Sequence, residues 1–301
     1  MTTPRELGFI GLGNIGGGVC ANLIADGHQV TVLDADPQRQ AVAVASGARA
    51  AGSAEEVASS AGVTFLSLPG PEAMRAVTSE WLKGVTTPGK MLVDLTTNAP
   101  RVVREVGEMV AGAGASLVEA PVTGGAPGAR ARRLVFIVGG DPRDVAAVTP
   151  LLDTVGRAVV HLGPLGSGNI GKLVNSLVAF TTTWSSLEGL ALGAAYDIDL
   201  RTLVDLVRLS GAATPYVDRR VESLNERGRP VEFAIAMAAK DARLMVEAGH
   251  DAGVPLPLAS VIHQLMLYAG SQGLGDRDLN DLVEAVERLT SVPLHLRSEE
   301  E

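Results

Sequence analysis

The sequence predicts an α/β fold in which an N-terminal parallel-sheet domain, residues 1–163, is followed by an all-helical domain, residues 164–301. Three observations carry this expectation. Short apolar runs rich in valine and isoleucine alternate with helix-length segments from Leu7 to His161, the pattern from which mainly parallel sheets are built. Beyond Pro164 the strand signals stop and apolar residues recur at helical spacing. At 301 residues, 46% of them hydrophobic, the chain is also long enough to bury two cores.

Six strands are expected in order: LGFI (7–10), VTVLD (30–34), VTFLSL (63–68), MLVDL (91–95), SLVEA (116–120) and LVFIVG (134–139). Segments such as Ile15 to Asp26 and Pro100 to Ala113 have the length of crossover helices. In the second half, helices are expected over Lys172 to Ala195, Asp199 to Ser210, Phe233 to Gly249, Leu256 to Gly270 and Leu279 to Thr290. The first of these extends back to Gly168 and is expected to join the domains. Its apolar stretch Leu173 to Ala195 has the length of a membrane span, but Asn175, Ser176, Thr181, Thr182, Thr183, Ser185, Ser186 and Glu188 interrupt it. A buried helix of a soluble protein is the simpler reading, with no membrane partner. Ser298 to Glu301 read as a disordered acidic tail.

Charge and composition exclude several function classes. The net charge of -9 argues against nucleic acid, which calls for clustered lysine and arginine. Cys20 is the only cysteine, and the N-terminus lacks a basic region leading into an apolar run, so a reducing cytoplasm is expected. His28, His161, His250, His263 and His295 show no metal-binding spacing, and no metal is expected. No serine stands in a strained nucleophile turn.

GLGNIG at 11–16 follows the first expected strand and opens a helix, the context that turns a glycine pattern into a dinucleotide-binding fingerprint of Rossmann type. Gly11 permits the tight turn, Gly13 the approach of backbone to pyrophosphate, and Gly16 close packing of helix on strand. Leu12, Asn14 and Ile15 complete the cofactor loop, and the helix N-terminus offers N–H groups and partial positive charge. Asp34 ends the second strand about twenty residues on, where a carboxylate accepts from both ribose hydroxyls and repels a 2'-phosphate. Ala35 follows it, so NAD is favoured over NADP, with Arg39 close enough to keep NADP open.

GFIGLGNIG, the Leu68-Pro69 pair, DLTTNAP (94–100), APVTGG (120–125), GSGNIGKLVN (166–175) and the Lys240-Asp241 pair stand in this order along the chain. In these motifs the sequence resembles the β-hydroxyacid dehydrogenase family, which includes 3-hydroxyisobutyrate dehydrogenase and is related to 6-phosphogluconate dehydrogenase. The resemblance runs from about Leu7 to Leu289. It implies that Lys172 is the general acid and base, removing the hydroxyl proton as hydride leaves for the nicotinamide and returning it in reduction. Such a base must titrate near about 7 to 8 rather than at the free value of about 10.4, a difference of about 3 to 4 kcal/mol that burial could supply.

Asn175 lies one helical turn after Lys172, so both can face one cleft; it could equally be a packing residue. Ser176 stands where the family commonly has a second asparagine that contacts the reacting hydroxyl, and a serine can still donate one hydrogen bond there. The resemblance further implies that Thr123, Gly124 and Gly125 hold the substrate carboxylate, the glycines exposing backbone N–H groups. It places Thr96 beside the nicotinamide ribose, Leu68 and Pro69 on the adenosine side, and Lys240 with Asp241 at the cleft. Arg132 and Arg133 replace a glycine and threonine common in the family; they are either solvated loop charges or contacts for an extra acidic group on a larger substrate.

The expected function is NAD(P)-dependent interconversion of a small 3-hydroxy acid and its semialdehyde or oxo acid, by a homodimer or homotetramer. An imine reductase with the same architecture is a rival, but that family usually carries aspartate or tyrosine at the position of Lys172. A cofactor-binding regulatory protein without turnover is a second.

Overall fold

The computed structural model describes residues 5–224 and 226–296; the acidic tail expected over Ser298 to Glu301 lies outside the described residues. Two compact units divide the chain, Met1–Leu173 and Val174–Glu301.

The first unit alternates strands and helices: β1 (Glu6–Ile10), α1 (Gly16–Ala25), β2 (Gln29–Leu33), α2 (Pro37–Ala45), β3 (Arg49–Ala50), α3 (Ala54–Ser60), β4 (Val63–Leu66), α4 (Pro71–Trp81), β5 (Met91–Asp94), α5 (Pro100–Gly112), β6 (Ser116–Glu119), β7 (Val122–Thr123), α6 (Gly125–Arg130), β8 (Leu134–Gly139), α7 (Pro142–Val155) and β9 (Gly156–Gly163). Helix α8 (Ser167–Ala195) then begins. Strands run in the order β3-β2-β1-β4-β5-β6, all parallel, the arrangement of a dinucleotide-binding sheet. β8 joins antiparallel beside β6, pairs antiparallel with β7, and carries β9 parallel on its far side. The expected fold class is therefore borne out, with all six expected strands present.

Local sequence chemistry sets the helix starts. Asp36 accepts from Gln38 N (2.9 Å) with Pro37 at the first helical position of α2, and Ser53 accepts from Glu56 N (3.1 Å) at the start of α3. The core lies along the central strands, where Phe9 and Phe65 stack at 5.7 Å. Trp81, fully buried, donates its indole N–H to the Thr64 hydroxyl at 3.0 Å.

The second unit holds the rest of α8 together with α9 (Leu200–Arg208), α10 (Pro215–Leu224), α11 (Ile235–Asp251), α12 (Pro257–Ala269) and α13 (Leu282–Thr290). Counting α8, five of these match the five expected helices; α10 is not expected, its sequence PYVDRRVESL being too charged to stand out. Asp278 fixes the entry to α11, its Oδ2 accepting from Glu232 N (2.8 Å) and Phe233 N (3.0 Å). Phe233 then stacks on Phe180 of α8 at 6.3 Å. Among the described residues no helix is long and apolar enough to cross a membrane.

Candidate active site

The glycine loop between β1 and α1 has a backbone that only its glycines allow. Gly11 has φ +92°, and a Cβ there would lie 2.2 Å from Ser67 O. A Cβ on Gly16 would come within 2.0 Å of Gly11 O. Gly13, by contrast, faces only the Arg39 Nη1 at 3.7 Å from its Cβ position, so its backbone is open to a ligand. No side chain caps the start of α1, and its first turn carries no acidic residue. A loop so bared at a helix N-terminus fits the pyrophosphate of a dinucleotide.

Asp34 lies directly after β2, its Oδ2 accepting from Leu12 N at 2.5 Å and its Oδ1 from Asp36 N at 2.7 Å. The carboxylate is thereby locked onto the glycine loop. Leu12 is buried, Ile15 half-buried and Asn14 exposed. Leu68 and Thr96, named separately from sequence, meet: Leu68 N donates to the Thr96 hydroxyl at 2.9 Å, while Pro69 next to it is exposed.

Thr123 is half-buried at the end of β7, paired with Val135. Gly124 (φ +123°) and Gly125 (φ +64°) follow in the left-handed region, both exposed and with no side chain to cover the turn. Lys172 is half-buried in the second turn of α8, Asn175 is half-buried one turn on, and Ser176 is buried. In the second unit, Lys240 Nζ lies 2.9 Å from Oδ1 of the buried Asp241. That ion pair is close in distance but off the hydrogen-bond direction, since the same oxygen has no hydrogen-bond donor.

Sequence reasoning missed a buried polar network that links these motifs. Asp94, fully buried at the end of β5, accepts from Thr96 N (3.1 Å) and from Asn98 Nδ2 (2.8 Å). Asn98 N donates to Asn169 Oδ1 at 2.7 Å, and Asn169 Nδ2 donates to Glu119 at 2.6 Å. Burial pushes Asp94 up to about 7 and raises Glu119 above the ordinary carboxylate range, against the hydrogen bonds that pull both down. Asp94, Asn98 and Asn169 sit inside motifs named above and Glu119 in the strand just before one, but only the fold shows that they touch.

Arg132 is held by partners within the first unit. It holds φ +56°, pairs with Asp26 at 2.7 Å, and donates to Thr154 O (2.8 Å) and Asn22 O (3.2 Å). The guanidinium holds the Asp26 carboxyl below its usual range, so this arginine ties the loop before β8 to α1 and α7. Arg133 is exposed.

Residues 6–163 match the family model for the NAD-binding domain of 6-phosphogluconate dehydrogenase, and residues 166–286 match that for the NAD-binding domain of NADP-dependent 3-hydroxyisobutyrate dehydrogenase. The chain is 29% identical to the 2-(hydroxymethyl)glutarate dehydrogenase of Eubacterium barkeri, covering 97% of this chain and 98% of that one. It is 30% identical to the 3-hydroxyisobutyrate dehydrogenase of Pseudomonas aeruginosa, over 86% and 90%. The solved Mycobacterium tuberculosis 3-hydroxyisobutyrate dehydrogenase with L-serine superposes with TM-score 0.86 at 26% identity, over 94% and 99%. A Streptomyces aurantiacus imine reductase, at 19% identity and TM-score 0.65 over 95% and 99%, shares the fold alone. With its parallel Rossmann sheet, open glycine loop and matches over both halves, the chain belongs to the β-hydroxyacid dehydrogenase family and is an NAD(P)-dependent oxidoreductase of hydroxy acids.

Proposed function

We propose that the protein catalyses the reversible oxidation of a small 3-hydroxy acid to its semialdehyde or oxo acid, with NAD preferred. The observation that carries the reading is Lys172, an amine half-buried one turn past the start of α8, in a chain that also keeps an intact glycine loop and a Thr-Gly-Gly turn. The nicotinamide ring, when bound, supplies or accepts the hydride. Lys172 takes the hydroxyl proton during oxidation and returns it to the nascent alkoxide during reduction. Thr123, Gly124 and Gly125 bind the substrate carboxylate through the threonine hydroxyl and outward N–H groups. Asn175 and Ser176 orient the hydroxyl, and Lys240 and Asp241 are further candidate substrate contacts.

On the cofactor side, the fingerprint from Gly11 to Gly16 receives the pyrophosphate, Asp34 the adenosine ribose, Leu68 and Pro69 the adenosine face, and Thr96 the nicotinamide ribose. The preference for NAD is supported by Asp34, whose charge stands beside the loop and repels a 2'-phosphate. Residues 1–163 act as the cofactor domain and 164–301 as the substrate and dimerisation domain, in a cytoplasmic homodimer or homotetramer. Exposed Ile170, Val174 and Val178, spaced by four along α8, support self-association.

The test is reduction of NAD and NADP across a panel of 3-hydroxy acids by the native protein and Lys172→Ala. Turnover with NAD that falls at least about a hundredfold in the variant is expected. Cofactor binding without turnover on any acid would instead identify a regulatory protein, and turnover indifferent to Lys172 would remove the proton-transfer role.

A further inference from the structure

We infer that Glu119 is a positioning residue for proton transfer: its carboxylate fixes the start of α8 and with it the place of Lys172. The inference rests on the proton-transfer role of Lys172 proposed above.

Glu119 ends β6 with its side chain fully buried. Four N–H groups converge on its two oxygens. Oε1 accepts from Gly166 N (2.5 Å) and Gly168 N (2.9 Å), and Oε2 from Asn169 N (3.0 Å) and Asn169 Nδ2 (2.6 Å). The first turn of a helix leaves its N–H groups without intrahelical partners. In α8 Glu119 takes two of them, from a residue about fifty positions earlier. Ser167 N goes to Pro164 O (3.1 Å), and Ile170 N makes the first intrahelical bond, to Gly166 O (3.0 Å). The start of α8 is thus pinned to the end of a central strand as well as to its own preceding loop.

Space for the carboxylate is made by two glycines. A Cβ on Gly139 would lie 2.2 Å from Glu119 Oε1, and one on Gly168 would lie 2.6 Å from Ile137 O and 3.1 Å from the Glu119 carboxyl carbon. The chemistry is equally restrictive. Glutamine turns an NH2 toward donors in either orientation, and aspartate is a methylene too short to span β6 and α8.

Asn169, held through both its backbone and its side chain, is three residues before Lys172 on the same helix. Its Oδ1 accepts from Asn98 N, and Asn98 Nδ2 reaches Asp94, which accepts from Thr96 N. The carboxylate therefore locks the helix that carries the proton-transfer amine to the loop that carries Thr96, with no contact of its own to the reacting atoms. Displacements of about 1 Å in such a frame can cost about a hundredfold in rate.

The experiment compares Glu119→Gln, Lys172→Ala and the double variant, reading kcat and KM for NAD and for the acid, with melting temperature to establish folding. Expected are a fall in kcat of about tenfold or more in Glu119→Gln, a KM for NAD within about threefold of native, and no further loss when Glu119→Gln is added to Lys172→Ala, because the two act as one unit. A kcat within about twofold of native, or a loss of equal size in the Lys172→Ala background, overturns the inference while leaving the role of Lys172 intact. Native turnover in Lys172→Ala removes the role on which it rests. Should Glu119→Gln not fold, Asn169→Ala, which keeps the backbone bonds to Glu119, is read by the same criteria.

Discussion

Asp94→Asn is expected to make the folded protein more stable relative to native as pH rises, which inverts the usual penalty for losing a buried charge. Asp94 has no exposed surface, no cation is among the groups that shift it, and the one charged neighbour that acts on it, Glu119, raises it further. Its pKa rises from 3.8 to about 7, chiefly by burial. A carboxyl raised in the folded state binds more protons folded than unfolded between these two values, so stability falls as pH climbs from about 4 to about 7 and stays reduced above. The difference amounts to about 4 kcal/mol when complete, of which about 2 to 3 kcal/mol develops between pH 5 and pH 8. Asn98 supplies the complementary geometry, because its Oδ1 is buried without a partner. Rotation of that amide lets Oδ1 accept from an asparagine NH2 at position 94, as it would from a protonated Asp94. Thermal unfolding followed by circular dichroism at pH 5 to 8 should show the melting temperature of Asp94→Asn gaining about 5 to 10 °C on native across the series. A difference between the two proteins that does not change with pH would refute the reasoning.

Gly16→Ala places a methyl 2.0 Å from Gly11 O; the loop must open, so the thermal stabilisation conferred by saturating NAD should fall by more than half while the apo protein loses about 1 to 3 kcal/mol. Arg132→Ala breaks the 2.7 Å pair with Asp26 and leaves Thr154 O and Asn22 O without their donor, costing about 1 to 3 kcal/mol in denaturant titrations with kcat and KM unchanged; a specific loss of affinity for any acid would contradict its structural role. Lys90, buried with its ammonium on the carbonyls of Ala58 and Ala61, closes the end of α3, and burial lowers its pKa. Lys90→Met, which leaves those carbonyls without their donor, should destabilise by about 2 to 4 kcal/mol in denaturant titrations.

What the sequence discloses here depends on how far apart the interacting residues lie. The six apolar strands and the glycine loop declare themselves because each is a run of adjacent residues under one physical demand. β3 and β7, two residues each, are too short to produce a pattern, and β9 is a half-exposed strand with little apolar continuity. α10 hides its two buried anchors, Val217 and Leu224, among charges. The place of Asp34 after the second strand makes it a candidate cofactor residue in sequence, whereas its bond to Leu12 N is visible only in the fold. In sequence Glu119 is only a position of the expected strand SLVEA, since its partners lie 47 to 50 residues on and nothing local distinguishes it from the other acidic residues. Arg132 drew attention as a departure from the family pattern, but its partners at Asp26 and Asn22 lie more than 100 residues away. Gly139 illustrates the same limit, being an ordinary strand end in sequence and the space for a carboxylate in the fold.

Two helix starts in the first unit put the same backbone groups to opposite uses. At α1 the loop and first turn are rich in glycine, no side chain caps the end and no acidic residue stands in the first turn, an arrangement suited to an external anion. At α8 the chain provides its own anion, and Glu119 occupies the positions a ligand phosphate or carboxylate would take. A substrate carboxylate must therefore find its donors away from the start of α8, although Lys172 stands only one turn beyond it. The Thr123-Gly124-Gly125 turn, with two positive-φ glycines and no side-chain cap at Gly124, is the place we propose for it. Gly125→Ala, which forces a side chain into the left-handed region at φ +64°, should raise KM for the acid by about tenfold or more with the NAD KM unchanged. An unaltered acid KM would move the carboxylate site to the helices of the second unit.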